Sequence, residues 1–324
     1  MEQRHLGRSG LSVSRLGLGT MTWGRDTPED DACAQLTAFV DAGGTLVDTA
    51  DAYAGGYSER VLGKLLGDVV PRTDLVLATR TAIDRRDGRP ASRRHLLDSL
   101  DASLHRLGTD HVDVWQLHTW DPATPLEETL SVLDEAVASG RARYVGVSYY
   151  AGWQLARAAT WQLAWPGRSP LISAQVEYSL LQRAVEGDVV PAARDLGTGI
   201  LACSPLGGGV LTGKYRGGIP ADSRGAAPHF AASIQPYLNE RSRRIVESVA
   251  TAAEGLGVSP LAVALCWARD RPGVGAAVVG ARTTAQLLGI LEAEETTLPQ
   301  EIGAALDDVS TPPTEYPEPD ESLG

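Results

Sequence analysis

Cysteine is scarce: 324 residues hold only Cys33, Cys203 and Cys266, an odd number and widely spaced. That excludes a disulfide-stapled scaffold, and without CxxC or other ligand spacing the sequence offers no metal centre. A reduced, cytoplasmic setting is the expectation. Basic residues are outnumbered 29 to 41 by acidic ones, giving a net charge of −12. This argues against a nucleic-acid or anionic-membrane surface, because both reward basic patches, but it leaves room for a local phosphate pocket. The N-terminal stretch MEQRHLGRSGLSVSRLGLG has no long apolar run. Neither a signal peptide nor a membrane span is expected. The glycine fingerprint of open dinucleotide-binding sheets is also missing: Gly17-Leu18-Gly19-Thr20-Met21-Thr22 lacks the last glycine.

What is present is an ordinary globular composition, 43% hydrophobic and 22% charged, enough for a large core. Short apolar runs alternate with helical patterns. Residues 2–13 read as a hairpin turning at Ser9-Gly10. Strands are expected at 15–19, 46–48, 75–79, 112–117, 144–147, 171–176, 199–202 and 276–279. Helical signals lie between them: Thr27-Pro28 as a capped start, Ser58-Glu59 as another, and Ser92 as the cap of a helix with Leu96, Leu97, Leu100, Leu104 and Leu107 at helical spacing. Residues 206–236 form a long Gly/Pro-rich insertion, the kind of loop that can close over a ligand. About eight strand-then-helix units without a domain-scale linker imply an α/β fold, a (β/α)8 TIM barrel with an N-terminal hairpin and extra C-terminal helices. One domain over 1–324 is expected, with a Pro- and acid-rich mobile tail from about 311.

In a barrel the strand C-termini rise at one rim. Strand two ends at Asp48, strand three at Arg80 and strand four at His118, and the stretch after Asp48 reads TADAYAGGYSE. An acid, a cation, a histidine and a tyrosine at one rim suit proton delivery to a carbonyl oxygen. The cation is expected to draw the tyrosine pKa down from about 10 toward working pH. Such a set needs a hydride donor. The rim after strands seven and eight, with Gly207-Gly208-Gly209 and Gly280-Ala281-Arg282, offers a cradle for dinucleotide phosphates. Trp23, Trp120 and Tyr149 follow strand ends and are candidates for lining a substrate pocket. Trp115 is expected in the core, and Trp153, Trp161 and Trp165 are expected to be structural. Tyr57 competes with Tyr53 by type and loop and is read as a rim residue.

The segments GLGT (17–20), DTADAYAGGYSE (48–59), LATR (77–80), HVDVWQLH (111–118), YVGVS (144–148), QVEYSLL (175–181), SPLGGGVLTGKY (204–215) and VVGAR (278–282), with Gln286, resemble the aldo-keto reductases over nearly the whole chain. The branch they look like includes bacterial reductases and potassium-channel β-subunits. The resemblance implies a (β/α)8 barrel that binds NADPH/NADP+ and reduces an aldehyde or ketone to an alcohol. It implies Tyr53 as proton donor, with Asp48, the cation at position 80 and His118 completing the catalytic four. Gly19 and Thr20 belong to its first matching segment and are carried over as cofactor-binding. Ser148 and Gln175 are implied to hold the nicotinamide amide, and Ser204, Pro205, Leu206 and Gly207 to line the pyrophosphate. Lys214 and Arg224 are implied to contact phosphates, and Gly280, Arg282 and Gln286 to hold the adenosine end. Arginine at 282 suits a 2′-phosphate, since guanidinium meets phosphate through two parallel hydrogen bonds.

The chain departs from the family pattern at four places. Arg80 stands where the family has lysine, Tyr149 where it has asparagine, Cys203 where an aromatic residue is frequent, and Ile290 where an asparagine meets the adenine. The rival to an NADPH-dependent reductase acting on a small carbonyl compound is an NADPH-binding regulatory subunit with little turnover that needs a protein partner. His118 speaks against it, because the channel subunits carry asparagine there. A two-carboxylate glycosidase would want an acid at the end of strand seven, where the chain has Cys203-Ser204.

Overall fold

The computed structural model describes residues 1–312 apart from Asp87. Most of the tail expected to be mobile therefore lies outside the described residues. Eight parallel strands close into a barrel: β1 (Leu16–Gly19), β2 (Leu46–Asp48), β3 (Val76–Thr81), β4 (Val112–Leu117), β5 (Ala142–Ser148), β6 (Leu171–Glu177), β7 (Gly199–Cys203) and β8 (Val274–Val279). Each strand pairs with its sequence neighbours, and β8 closes on β1 through Ala277↔Leu16, Val278↔Gly17 and Val279↔Leu18. These strands are short apolar runs buried on both faces, the pattern that helices on the outside of a parallel sheet require.

The helices are α1 (Glu29–Asp41), α2 (Tyr57–Leu65), α3 (Arg93–Leu107), α4 (Leu126–Ala138), α5 (Gly152–Leu163), α6 (Val189–Leu196), α7 (Pro228–Ile234), α8 (Glu240–Leu256), α9 (Pro260–Arg269), α10 (Thr284–Glu294) and α11 (Gln300–Ser310). Buried residues divide into two clusters. The larger one, with Leu36, Leu62, Leu100, Trp115, Leu133 and Val263, lies between strands and helices. A smaller one, with Leu6, Leu46, Ala78, Val114, Leu201 and Ala276, fills the barrel interior. Leu6 comes from the N-terminal hairpin, whose strands pair as Gln3↔Ser14, Arg4↔Val13 and His5↔Ser12. Arg8 N donates to Gly197 O at 2.7 Å. The hairpin thus closes the rim opposite the strand C-termini and leaves those ends for chemistry.

Ser92 caps α3 as the spacing requires, its side chain accepting from His95 N. Two other capping assignments fail. Pro28, not Thr27, precedes the first turn of α1, and the buried Thr27 hydroxyl instead bonds to Thr22 Oγ1 at 2.9 Å. Helix α2 starts at Tyr57, and Ser58 turns inward to Thr20. In both cases a tertiary partner wins the side chain from the local backbone. The 206–236 insertion holds more structure than its glycines and prolines suggest: a 3₁₀ turn over Gly207–Thr212 and the short helix α7. No single helix among the described residues is long and apolar enough to cross a membrane.

Candidate active site

Asp48 is the last residue of β2, Arg80 lies near the end of β3, and His118 follows the end of β4. Backbone register levels these ends: Gly19↔Asp48 and Asp48↔Ala78 are paired, as are Arg80↔Gln116. Tyr53 opens a 3₁₀ turn over Tyr53–Gly56, in which Ala54, Gly55 and Gly56 take left-handed conformations in succession. That turn reverses the chain into α2. Gly56 has φ of +85°, and a Cβ there would come 2.8 Å from Arg106 Nε. Glycine therefore serves both the turn and the passage of Arg106.

Two polar networks fix the Tyr53 loop. On one side the Thr20 and Ser58 hydroxyls meet at 2.7 Å, Ser58 Oγ donates to Thr20 O at 2.8 Å, and Thr20 N donates to Asp48 O at 3.0 Å. On the other, the fully buried Glu59 accepts from Thr79 Oγ1 at 2.6 Å and from Arg106 Nε at 2.7 Å. Asp51 adds a third tie, its Oδ1 accepting from Ala82 N at 2.8 Å. A buried carboxylate held this way stays where its partners are, so the loop is rigid at its base. Reading Ser58-Glu59 as a plain helix start misses this network, because Thr79 and Arg106 lie 20 and 47 residues beyond Glu59.

Arg80 is the hub. Nη1 donates to Asp48 Oδ1 at 2.5 Å and also to Gln175 Oε1, and Nη2 donates to the Tyr53 hydroxyl. Burial works against its charge, but the charges of Asp48 and Tyr53 outweigh that, and Arg80 is held firmly protonated. Tyr53 behaves otherwise than the sequence suggests. Burial pushes its hydroxyl up to about 12; Arg80 pulls it down only in part, and Asp48 pushes it up again. The cation does not bring the tyrosine toward neutral pH, because burial outweighs its pull and Asp48 opposes it as well. Tyr53 therefore rests protonated at neutral pH. Its ring stands edge-on to His118 with centroids 6.4 Å apart. Burial, helped by Arg80, lowers the imidazole to about 3, so His118 is neutral at working pH.

These groups occupy one end of a cleft of about 460 Å³. Gly19, Gln175, Tyr149 and Cys203 line the same region. Beyond them the cleft runs past Ser204, Pro205 and Leu206 to Lys214, Arg224, Gly280, Arg282 and Gln286. Among the described residues Lys214, Arg224 and Arg282 form no ion pair with a carboxylate, although the chain is strongly acidic; Arg282 Nη2 donates to the Asp222 carbonyl instead. Burial and the neighbouring guanidinium groups push Lys214 down, and burial with Arg282 pushes Arg224 down. Unneutralised cations facing one cleft make an anion site. Gly209, at φ +92°, lets Lys214 approach the backbone: a Cβ there would come 2.8 Å from Nζ.

A model of the aldo/keto reductase family matches residues 15–311, which span this barrel and cleft. The chain belongs to the aldo/keto reductase family. Among its relatives is an uncharacterized oxidoreductase, YrpG, of Bacillus subtilis (strain 168), 37% identical over 323 residues, covering 95% of this chain and 96% of the other. A probable voltage-gated potassium channel subunit beta of Oryza sativa subsp. japonica is 35% identical over 302 residues, 90% and 91% of the two chains. The aldo-keto reductase YhdN of Bacillus subtilis (strain 168) is 33% identical over 309 residues, 93% and 91% of the two chains.

Within this family frame several expected site residues fall elsewhere. Thr20 is buried and braces the Tyr53 loop. Gly207 sits behind the cleft against Leu181, and the flanking Gly208 and Gly209 line it instead. Ser148 does not form the cleft wall, though its buried Oγ has no hydrogen-bond partner among the described residues. Trp23 is no pocket residue: it is fully buried, and its Nε1 donates to Gln35 Oε1 at 3.1 Å, so the turn after β1 carries it inward under α1. Trp120 also lies outside the cleft, edge-on to Tyr150 and Trp153 with centroids 5.2 and 5.6 Å away. Tyr149 does line the cleft, in a left-handed conformation with φ +53°, its hydroxyl 3.4 Å from Cys203 Sγ. Tyr57 points away to Glu29, to which its hydroxyl donates at 2.6 Å. Trp115 is buried as expected, whereas Trp153, Trp161 and Trp165 are 60%, 37% and 68% exposed rather than structural. Met21 and Thr22 are cleft residues that the sequence did not single out.

Proposed function

We propose that this chain is an NADPH-dependent reductase of aldehydes or ketones. The observation that carries the reading is the protonated Tyr53 hydroxyl held by the Arg80–Asp48 ion pair, in the same cleft as three cations that pair with no carboxylate among the described residues. The residues present fit a nicotinamide dinucleotide phosphate. Gln175 Nε2, at the cleft wall, is a buried polar atom without a partner among the described residues, as an amide ligand would require. Ser204–Leu206 and Lys214, Arg224 and Arg282 suit a pyrophosphate and a 2′-phosphate. When bound, the reduced nicotinamide supplies a hydride to the carbonyl carbon.

The chain's own groups do the rest. Tyr53 Oη holds the proton that the carbonyl oxygen takes. Arg80 keeps that hydroxyl oriented and stabilises the phenolate left behind, while Asp48 keeps Arg80 in place. Neutral His118, close to Tyr53, orients the same oxygen through a ring N–H. Proton transfer from a positioned side chain contributes roughly 10²–10⁴ in rate. Three free cysteines suit a reducing compartment, and a cytoplasmic location goes with this reading.

A second reading, an NADPH-binding regulatory subunit, is favoured by the 35% identity to a probable channel β-subunit. One experiment separates the two. NADPH binding is followed by fluorescence, and a panel of carbonyl compounds is then added while reduced-cofactor absorbance is followed. Binding with turnover supports the reductase. Binding without turnover across the panel supports the regulatory subunit. No binding sinks both.

A further inference from the structure

We propose that the outward face of α5 is a self-complementary docking surface whose occupant is a second copy of this chain, paired antiparallel across a two-fold axis. A helix on the outside of a barrel buries one stripe and turns a polar face to water. In α5 the buried stripe is Gly152, Leu155, Ala158, Ala159 and Gln162. The opposite side is not polar. Trp153 and Trp161 are exposed there, with Arg157 between them and the exposed Trp165 just past the last turn. These four residues follow one another at intervals of four, so they make a single ridge about 18 Å long. The neighbouring row is Ala156, Thr160 and Ala164, small residues that leave a groove beside the ridge.

Shape and charge both select a second copy. A ridge beside a groove on one face fits itself after a half-turn, which is what a two-fold interface requires. With the axis at Ala159, Arg157 comes beside the partner's Trp161, a cation–π pair made twice, and Trp153 comes beside the partner's Trp165. Each ridge then lies over the partner's row of small residues. Two copies of a chain with net charge −12 repel over most of their surface. Residues 152–165 carry no acid, and their one cation, Arg157, reaches Glu127 Oε1 only at 3.7 Å. Like-charged copies can meet on such a face. The anchors are already ordered: Trp153 stands edge-on to Trp120, and the Arg168 guanidinium sits 4.3 Å from the Trp161 ring centroid. Ordered anchors lose little freedom on docking. The three tryptophans expose roughly 250–400 Å², up to about half of the area that one partner of a standard interface buries, and Thr160 and Leu163 extend the patch.

Sedimentation velocity of the purified full-length chain over a concentration series, with tryptophan emission recorded alongside, tests this. The expected result is a reversible dimer whose formation shifts the emission to the blue as Trp161 and Trp165 leave water. Trp161→Glu and Thr160→Glu each place an acid close to the axis, where it meets its own copy. Each is expected to weaken the dimer at least about thirtyfold, the scale of a lost hot spot, with circular dichroism showing the helices intact. Leu288→Glu, at a similarly exposed apolar site on α10, is expected to leave the dimer unchanged. A chain that stays monomeric at every concentration overturns the proposal and leaves the face to a different protein. A dimer that survives both α5 substitutions, or that is lost in Leu288→Glu instead, overturns it too, because the copies then meet elsewhere.

Discussion

Arg80 and Asp48 form a buried ion pair at the end of neighbouring strands, with Nη1 2.5 Å from Oδ1 and residue exposures of only 3% and 2%. Removing one partner of such a pair strands the other charge. Asp48→Asn is therefore expected to lower stability by about 3–5 kcal/mol, far more than an exposed pair would cost. Urea unfolding checks this, and a loss below about 1 kcal/mol would show that water reaches Arg80.

Arg80→Lys concentrates the charge on one nitrogen and gives up the fork. Lysine retains Asp48 and Tyr53 as partners and releases Gln175, so both the Tyr53 contact and the Gln175 contact change. The expected outcome is a higher kcat/KM for a reactive aldehyde than the unaltered chain shows. A fall in kcat/KM would mean that the site is adapted to arginine.

The barrel is legible because its strands are short buried apolar runs, and Asp48, Arg80 and His118 stand at or just past the ends of three neighbouring ones. What was not legible depends on side-chain direction across long separations. Arg80 reaches Gln175 from 95 residues away, and no spacing announces it. Trp23 follows a strand end just as Tyr149 does, yet the turn after β1 sends it under α1 to Gln35. Thr27 and Ser58 carry capping chemistry in sequence but spend it on Thr22 and Thr20. The Tyr53 pKa departs from the sequence expectation for a related reason: the cation is visible in the sequence, whereas the burial that opposes it is not.

The pH behaviour follows from two displaced groups. Tyr53, pushed up to about 12, keeps its proton through neutral and mildly alkaline pH. Carbonyl reduction should show no loss from Tyr53 below that point, whereas alcohol oxidation, which needs the phenolate, should rise steadily with pH. His118 falls from 6.5 to about 3 on folding. Between those values the unfolded chain binds a proton that the folded one refuses, so stability drops as pH falls through that window. His118→Asn should make the acid limb of a stability–pH curve shallower. A His118 resonance titrating near 6.5 would contradict this.

Arg282 shares the far end of the cleft with Lys214 and Arg224. Arg282→Ala is expected to weaken NADPH by roughly tenfold, the scale of a hydrogen bond to a charged group, and to leave NADH nearly unchanged. Equal losses for the two cofactors would move the 2′-phosphate away from Arg282.

The central claim is that Tyr53 Oη delivers the proton. Tyr53→Phe removes that one oxygen and leaves the ring beside His118. NADPH affinity and aldehyde-dependent NADPH consumption should be measured side by side in the variant and the unaltered chain. The account predicts unchanged binding and a turnover loss of roughly 10²–10⁴. Turnover that survives Tyr53→Phe at a comparable rate would contradict it.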